Sequence, residues 1–134
     1  MDYTYEELIE KAYKASEFAY SPYSKFNVGA AVAVSDFAGE VKMFTGCNVE
    51  NSSYGGTICA ERTAMCKAVS EGYSKLMAIA VVSSEGSYTY PCGICRQFLS
   101  EFSDKETVVI LHDKDKNNVK KMLLCELIPE AFTL

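Results

Sequence analysis

Two short motifs in the sequence carry residue types that bind zinc. Cys59 is followed two residues later by Glu61, and further along the chain Cys92 and Cys95 form a Cys-x-x-Cys pair. Three thiolates can fill three corners of a zinc tetrahedron and leave the fourth open for water, which distinguishes catalytic from structural sites. Glu61 is too close to Cys59 along the chain to be an easy fourth ligand. We therefore predict that Glu61 handles the protons of that water.

Spacing alone leaves other interpretations of these cysteines open. A Cys-x-x-Cys pair also occurs in redox motifs and in structural zinc sites. A structural site needs a fourth ligand, and the single histidine, His112, stands alone near the end of an apolar run. The spacing therefore favours an open site with three cysteine ligands. The other three cysteines are also candidate ligands, but none has a partner at ligand spacing, and a free cysteine commonly packs as a small buried apolar residue. They are Cys47, Cys66 and Cys125.

The composition predicts one globular domain that acts on a small molecule. The 134 residues are 49% hydrophobic and 23% charged, which is ordinary for a globular protein, so we predict a single domain over residues 1–134. The net charge of −5 disfavours nucleic acid, whose binding requires a basic surface. Residues 1–7 lack the apolar core of a signal peptide, and no apolar run is long enough for a membrane span. Six cysteines without a secretion signal then indicate a reducing cytoplasm.

Apolar periodicity predicts helices and strands along the whole chain. The predicted helices span residues 5–20, 59–71, 93–102 and 123–128. The predicted strands span residues 28–35, 41–47, 76–82, 107–111 and 119–122. The first two strands form a predicted antiparallel hairpin, and the later strand–helix–strand order favours a partly parallel sheet with right-handed crossovers. We predict an α/β fold, a three-layer α/β/α sandwich with a mixed five-stranded sheet.

Both cysteine motifs fall where a helix is predicted to begin. Ligands of such sheets sit beyond the strand ends, near the starts of helices. The positive end of each helix dipole lowers the pKa of a thiol there and favours the thiolate that binds metal. Both motifs are therefore predicted to lie where the ligands of such sheets bind.

The motifs resemble those of the zinc-dependent cytidine deaminases, in the small form whose zinc ligands are all cysteines. The resemblance is carried by Cys-Ala-Glu at 59–61 and Pro-Cys-Gly-Ile-Cys-Arg-Gln at 91–97. Residues 24–31, 45–51 and 127–132 are also similar to family segments in order and spacing, so the resemblance covers nearly the whole chain. It implies one Zn²⁺ per chain and hydrolytic deamination of cytidine and deoxycytidine to uridine and deoxyuridine, with release of ammonia, in pyrimidine salvage.

The resemblance also assigns roles around the metal. Cys59, Cys92 and Cys95 are the implied ligands, and Glu61 is the implied catalytic acid and base, which moves protons to ring N3 and to the departing ammonia. Arg62 and Gln97 are implied to lie behind the ligands, with Arg62 donating hydrogen bonds to the sulfur atoms. The alternative for Arg62 is an ordinary salt bridge on the helix surface, and for Glu61 a first-turn residue that favours the helix dipole.

Further implied roles concern the substrate and the assembly. Phe26 stacks on the pyrimidine, Asn48 and Glu50 bind the ribose 3′-hydroxyl, and the Ala60 N–H faces the base carbonyl. An ordinary core aromatic is the alternative for Phe26, and turn chemistry is the alternative for Asn48 and Glu50. The resemblance implies a homotetramer in which neighbouring subunits complete each site, although a C-terminal packing role remains open for Phe132. The residues implied to cross the boundary are Ser52, Tyr54 and Phe132.

Two other functions compete with nucleoside deamination. One is a related enzyme that acts on a nucleoside-like antibiotic or on a base in RNA, but Asn48 and Glu50 favour a free nucleoside and the acidic charge disfavours RNA. The other is a non-catalytic module stabilised by zinc, which predicts a closed fourth position and no requirement for Glu61.

Overall fold

The computed structural model describes residues 2–134, so Met1, the first residue of the predicted domain, lies outside the described part. The helices are α1 (Tyr5–Ser16), α2 (Ala60–Ser70), α3 (Gly93–Ser100) and α4 (Leu124–Leu127). The strands are β1 (Val28–Ser35), β2 (Val41–Cys47), β3 (Lys75–Ser83), β4 (Val108–Asp113) and β5 (Asn118–Leu123). One turn of 3₁₀ helix, Tyr54–Gly56, interrupts the loop between β2 and α2.

The strands form one mixed sheet in the order β2-β1-β3-β4-β5. β3 and β4 are parallel, joined through α3, and the other neighbouring pairs are antiparallel. β3 at the centre is buried along almost its whole length, whereas β5 at the edge is largely exposed. Burial on both faces explains why β3 is a continuous apolar run. The mixed five-stranded sheet predicted from the sequence is therefore confirmed.

Helices cover both faces of this sheet. On β3, Ala78, Ala80 and Val82 pack into a core under α1, which also contains Leu8 and Ala12. The alternate residues Ile79 and Val81 pack into a second core with α2 and α3. This alternation follows from the two-residue period of a strand. The arrangement confirms the three-layer α/β/α sandwich.

Helix α1 ends earlier than its apolar pattern predicts. The helix begins as predicted, because Thr4 Oγ1 accepts a hydrogen bond from the Glu7 N–H. The predicted end at Tyr20 is wrong, since α1 stops at Ser16, whose hydroxyl donates to the Tyr13 carbonyl. Tyr20 instead pairs with the chain at 48–50 through two backbone hydrogen bonds of 3.0 and 2.8 Å. This long-range pairing overrides the local periodicity and brings residues 21–27 beside Asn48.

Gly46 allows α2 to pack closely on β2. A Cβ atom at this position would lie 2.5 Å from the backbone N of Ala64 and 2.6 Å from the carbonyl oxygen of Ala60. Side chains larger than hydrogen would therefore push α2 away from the sheet. The close approach fixes the first turn of α2, where Glu61 is located.

Candidate metal centre and active site

The two cysteine motifs lie at the starts of α2 and α3, as predicted. Cys59 is the residue that caps α2, and Cys92 caps α3. Cys95 lies in the first turn of α3 and is buried. All three thiols are thus near positive helix ends, which favour anionic sulfur.

The three sulfur atoms form a cluster of the size that zinc requires. The Sγ atoms of Cys59, Cys92 and Cys95 all lie within 4.8 Å of one another, and the Cys59 and Cys92 sulfurs are 3.8 Å apart. Zinc–sulfur bonds of about 2.3 Å in a tetrahedron place sulfur atoms about 3.8 Å apart. The donor set therefore fits one Zn²⁺ with a fourth position open.

His112 has a structural role away from this cluster. Its Nδ1 lies 2.7 Å from the Tyr13 hydroxyl, and its Nε2 lies 3.0 Å from Asn117 Oδ1. These contacts join α1 to the β4–β5 turn. Both ring nitrogens are occupied, so the sequence preference for a three-cysteine site without histidine agrees with the structure.

Arg62 places a positive charge against the sulfur cluster. Its Nη2 lies 3.4 Å from Cys59 Sγ and 3.4 Å from the Thr57 carbonyl oxygen. Its buried Nε has no hydrogen-bond partner among residues 2–134. Hydrogen bonding to Cys59 raises the pKa of Arg62 above its already high value. Because three thiolates and one Zn²⁺ sum to a charge of −1, the guanidinium offsets the excess negative charge of the centre.

The thiols of the cluster differ in how readily they ionise. The neighbouring Cys95 thiol and the Arg62 guanidinium, whose Nη2 donates to the Cys59 sulfur, lower the pKa of Cys59. The pKa of Cys95 is raised by its interaction with Cys59 and by burial. Metal binding requires thiolates, and Cys59 already favours this form before metal is added.

Glu61 is a buried carboxyl beside the cluster, with 4% of its surface exposed. The pKa of Glu61 is raised to about 7, chiefly by burial and also by the negative Cys59 sulfur, while the Arg62 charge opposes the shift. A carboxyl that titrates near neutrality can both accept and donate a proton at physiological pH. The structure therefore gives Glu61 the property that an acid–base catalyst requires.

The raised pKa of Glu61 predicts how pH affects the stability of the metal-free protein. Unfolding restores the carboxyl to its ordinary pKa of 4.5, so the folded state binds the proton more tightly than the unfolded state between pH 4.5 and 7. Stability from this group is therefore lost as pH rises through that window. The loss amounts to about 3 kcal/mol, at roughly 1.4 kcal/mol per pKa unit.

Urea unfolding at pH 5 and pH 8, after zinc removal, gives the free energy of unfolding of the wild-type protein and of Glu61→Gln. Because the cysteines titrate in both proteins, their contribution largely drops out when the two free energies are subtracted. We expect the variant to gain stability relative to wild type as pH rises. Parallel stability curves for the two proteins would contradict the assigned burial effect.

A cavity of about 250 Å³ opens beside the cluster. Seven residues with predicted site roles line it, and the other predicted residues lie outside. The seven are Phe26, Asn48, Glu50, Cys59, Ala60, Glu61 and Cys92. The backbone N–H of Ala60, in the first turn of α2, is among those that have no acceptor within the helix. The cavity therefore combines an aromatic wall, hydrogen-bonding groups and the metal cluster.

The remaining predicted residues have other positions. Cys95 is buried and Arg62 is half-buried, and neither lines the cavity. Gln97 Nε2 donates to the Phe132 carbonyl oxygen at 3.0 Å and so attaches the C-terminal segment to α3. Tyr54 is 78% exposed and Phe132 is 67% exposed. Within one chain, these two aromatic side chains are turned to the surface.

The cavity also contains residues to which the sequence analysis gave no role. Ser24, Thr89 and Tyr90 line it, and the Tyr90 hydroxyl lies 2.6 Å from Lys120 Nζ on β5. Thr89 and Tyr90 directly precede the motif that begins at Pro91, so their proximity to the site could have been predicted from the sequence. The position of Ser24 depends on contacts between distant parts of the chain.

The fold and this centre together define a zinc-dependent hydrolase. Residues 2–111 match the family model described as the cytidine and deoxycytidylate deaminase zinc-binding region. The cytidine deaminase of Halalkalibacterium halodurans is 46% identical over 126 residues, which cover 94% of this chain and 92% of the relative. The chain belongs to the cytidine and deoxycytidylate deaminase family.

Solved structures agree with this assignment. The crystal structure of cytidine deaminase from Burkholderia pseudomallei has a TM-score of 0.85 at 43% identity and covers 97% of this chain and 100% of its own. That from Mycobacterium tuberculosis has a TM-score of 0.82 at 41% identity, covering 99% and 100%. Among the helices formed by residues 2–134, none has the length and apolar character needed to cross a membrane.

Proposed function

We propose that this protein catalyses the zinc-dependent hydrolytic deamination of cytidine and deoxycytidine to uridine and deoxyuridine, releasing ammonia, as a step of pyrimidine salvage. The observation that carries the proposal is the buried Glu61 carboxyl, which faces the cavity beside the three-thiol cluster. A structural zinc module has no use for a buried carboxyl at an open metal position. The same observation therefore disfavours the non-catalytic alternative.

Cys59, Cys92 and Cys95 hold the zinc ion in this proposal. When bound, zinc supplies the Lewis acidity that activates a water molecule at neutral pH. Glu61 accepts a proton from the attacking water and delivers it to N3 of the ring. The same carboxylate then accepts the remaining proton of the hydroxyl on C4 and transfers it to the amino group, so that the C4–N bond breaks, ammonia leaves and the C4 carbonyl of the product forms. Its pKa near 7 suits both directions of transfer.

The nucleoside is held by groups on three segments. The Phe26 ring stacks on the pyrimidine, and the Ala60 N–H donates to the base carbonyl. Asn48 and Glu50 receive the ribose. Hydrogen bonds, first that from the Ser24 hydroxyl, lower the pKa of Glu50, so the carboxylate is ionised and accepts hydroxyl donors while repelling phosphate. This charge favours a free nucleoside over a base within RNA, and it supports a small-molecule substrate without nucleic acid.

A homotetramer with composite sites is the assembly we propose. The cavity of about 250 Å³ is just below the range of roughly 300–1,000 Å³ typical of ligand sites. The side chains of Tyr54 and Phe132 are exposed, so in an oligomer they can contact the cavity of a neighbouring chain and complete its lining. Ser52 lies in the same loop as Tyr54. Closed symmetric assemblies are the rule for such oligomers. Water exclusion by the neighbour would strengthen the electrostatic interactions of Glu61.

Removal of residues 131–134 tests the assembly. We expect the full chain to scatter light as a particle of four times the chain mass. We expect the truncated chain to show at least a tenfold loss of kcat/KM for cytidine, because Phe132 no longer reaches a neighbouring site. Leu134→Ala is the control and retains activity. A monomer with full turnover, or a truncation with unchanged KM and kcat, would contradict the composite site.

Two broader features belong to the same proposal. One sheet with a core on each face supports a single catalytic domain over residues 1–134. The six cysteines are free thiols, and three of them must stay reduced to hold zinc. A reducing compartment such as the cytoplasm is therefore the location that suits the site.

Product analysis tests the proposed reaction. Purified protein incubated with cytidine should yield uridine and ammonia in equal amounts, and deoxycytidine should react likewise. Cytosine within a single-stranded RNA serves as the comparison substrate and should remain unchanged. Deamination of the RNA base with no reaction of cytidine would overturn the assignment of a free nucleoside.

A further inference from the structure

We propose that Ser24 is a positioning residue of this active site, whose hydroxyl connects the Glu50 carboxylate to the backbone of Phe26. The proposal rests on the proposed function and adds a residue to it. Ser24 lies in the cavity wall between the two groups that it joins. Its effect on the substrate is exerted through Glu50 and Phe26.

The contacts form a continuous chain of hydrogen bonds. Glu50 Oε1 accepts from the backbone N–H groups of Tyr23 at 2.9 Å and Ser24 at 3.2 Å. The Ser24 hydroxyl donates to the other carboxylate oxygen, Glu50 Oε2. The Phe26 N–H in turn donates to Ser24 Oγ at 3.0 Å. One hydroxyl therefore orients both the ribose-binding carboxylate and the residue that carries the aromatic ring.

The Glu50 carboxylate keeps one hydrogen-bond acceptor position free for the substrate. Each carboxylate oxygen offers about two lone-pair positions. The two backbone N–H groups occupy both positions of Glu50 Oε1, and the Ser24 hydroxyl occupies one position of Oε2. One position is left, and it is suited to a single hydroxyl of the ribose. Ser24 thus determines the direction in which the remaining acceptor points.

The backbone around Ser24 depends on these hydrogen bonds. Lys25 has a φ of 61°, in the left-handed region that non-glycine residues rarely adopt. Such a conformation persists when neighbouring contacts hold it. The Lys25 N–H donates to the Ser21 carbonyl oxygen at 2.9 Å. The N–H groups of the two preceding residues, Tyr23 and Ser24, donate to Glu50. The turn directs the chain so that Phe26 enters the cavity.

Asn48 provides a second attachment that does not involve Ser24. Its Nδ2 donates to the Phe26 carbonyl oxygen at 2.8 Å, and its Oδ1 accepts from the Val28 N–H at 2.9 Å. Loss of the Ser24 hydroxyl should therefore loosen Phe26 on one side while the strand that follows keeps its place. The fold should persist, and the effect should appear in substrate binding.

Ser24→Ala tests the proposal with cytidine and 3′-deoxycytidine as substrates. We expect KM for cytidine to rise about tenfold, as for loss of a hydrogen bond to a charged group, while kcat changes less than threefold. We also expect the ratio of kcat/KM for cytidine to that for 3′-deoxycytidine to fall by a similar factor, because the reoriented Glu50 carboxylate no longer accepts a well-aligned hydrogen bond from the 3′-hydroxyl. Ser24→Thr, which keeps the hydroxyl, should restore both values.

Ser84→Ala is the matched control. Ser84 Oγ accepts a hydrogen bond from the Asn27 N–H at 3.1 Å. The variant therefore also removes a hydroxyl that binds a backbone N–H next to Phe26. Unlike the Ser24 hydroxyl, the Ser84 hydroxyl does not hydrogen-bond to Glu50. It should leave KM within twofold. Equal effects of the two alanine variants, or an unchanged 3′-hydroxyl preference in Ser24→Ala, would overturn the role of Ser24. A wild-type protein without cytidine turnover would overturn the proposed function and this role together.

Discussion

Glu61→Gln is expected to lose turnover of cytidine while keeping its zinc and its fold. Glutamine has nearly the shape of glutamate, so the packing beside Cys59 is preserved, but it cannot exchange protons. General acid–base catalysis contributes roughly 10²–10⁴-fold, and the loss should exceed this range if Glu61 serves several proton transfers. Steady-state rates of uridine formation, with metal analysis of the same samples, measure the effect.

Glu71→Gln is the matched control for this variant. Glu71 follows the last turn of the same helix and is exposed, so the same Glu→Gln substitution is made there without touching the cavity. Its turnover should equal that of the wild-type protein. If Glu61→Gln retained activity within about threefold of wild type, the acid–base role of Glu61 would be wrong.

Cys92→Ala is expected to lose zinc and, with it, activity. The substitution leaves two thiols of a three-thiol donor set, and even loss of an outer contact to a ligand costs about 10–100-fold in metal affinity or activity. We therefore expect less than one-tenth of the zinc content of wild type after dialysis, and turnover reduced by at least about 100-fold. Metal analysis by mass spectrometry and the uridine assay give the two values.

Cys66→Ala serves as the control for the loss of a thiol. Cys66 is an exposed residue of α2 outside the cluster, so its variant should keep one zinc per chain and full turnover. Cys92→Ala with full zinc occupancy would show that the metal is held elsewhere.

The sequence predicted those parts of the molecule that depend on local pattern and motif spacing. The bounds of β1 and β2 agree with the predicted 28–35 and 41–47, because turn residues separate two short apolar runs. Cys59, Cys92 and Cys95 converge as predicted, because both motifs open helices at the same end of the sheet. Local signals were sufficient for these features.

Features set by contacts between distant segments could not be predicted in the same way. The apolar spacing of α1 continues past Ser16, but the pairing of Tyr20 with residues 48–50 ends the helix. The link from Glu50 to Ser24 spans 26 positions and has no local pattern. The raised pKa of Glu61 comes from burial, which depends on how closely α2 packs on the sheet.

Zinc removal and replacement, followed by the rate of uridine formation from cytidine, tests the central claim most directly. A chelator should abolish turnover in the wild-type protein, and added Zn²⁺ should restore it in proportion to the metal bound, reaching the original rate at one ion per chain. Glu61→Gln carried through the same titration should bind zinc equally and stay inactive. Full turnover by the metal-free protein, or unchanged cytidine after complete zinc loading of the wild type, would contradict the account.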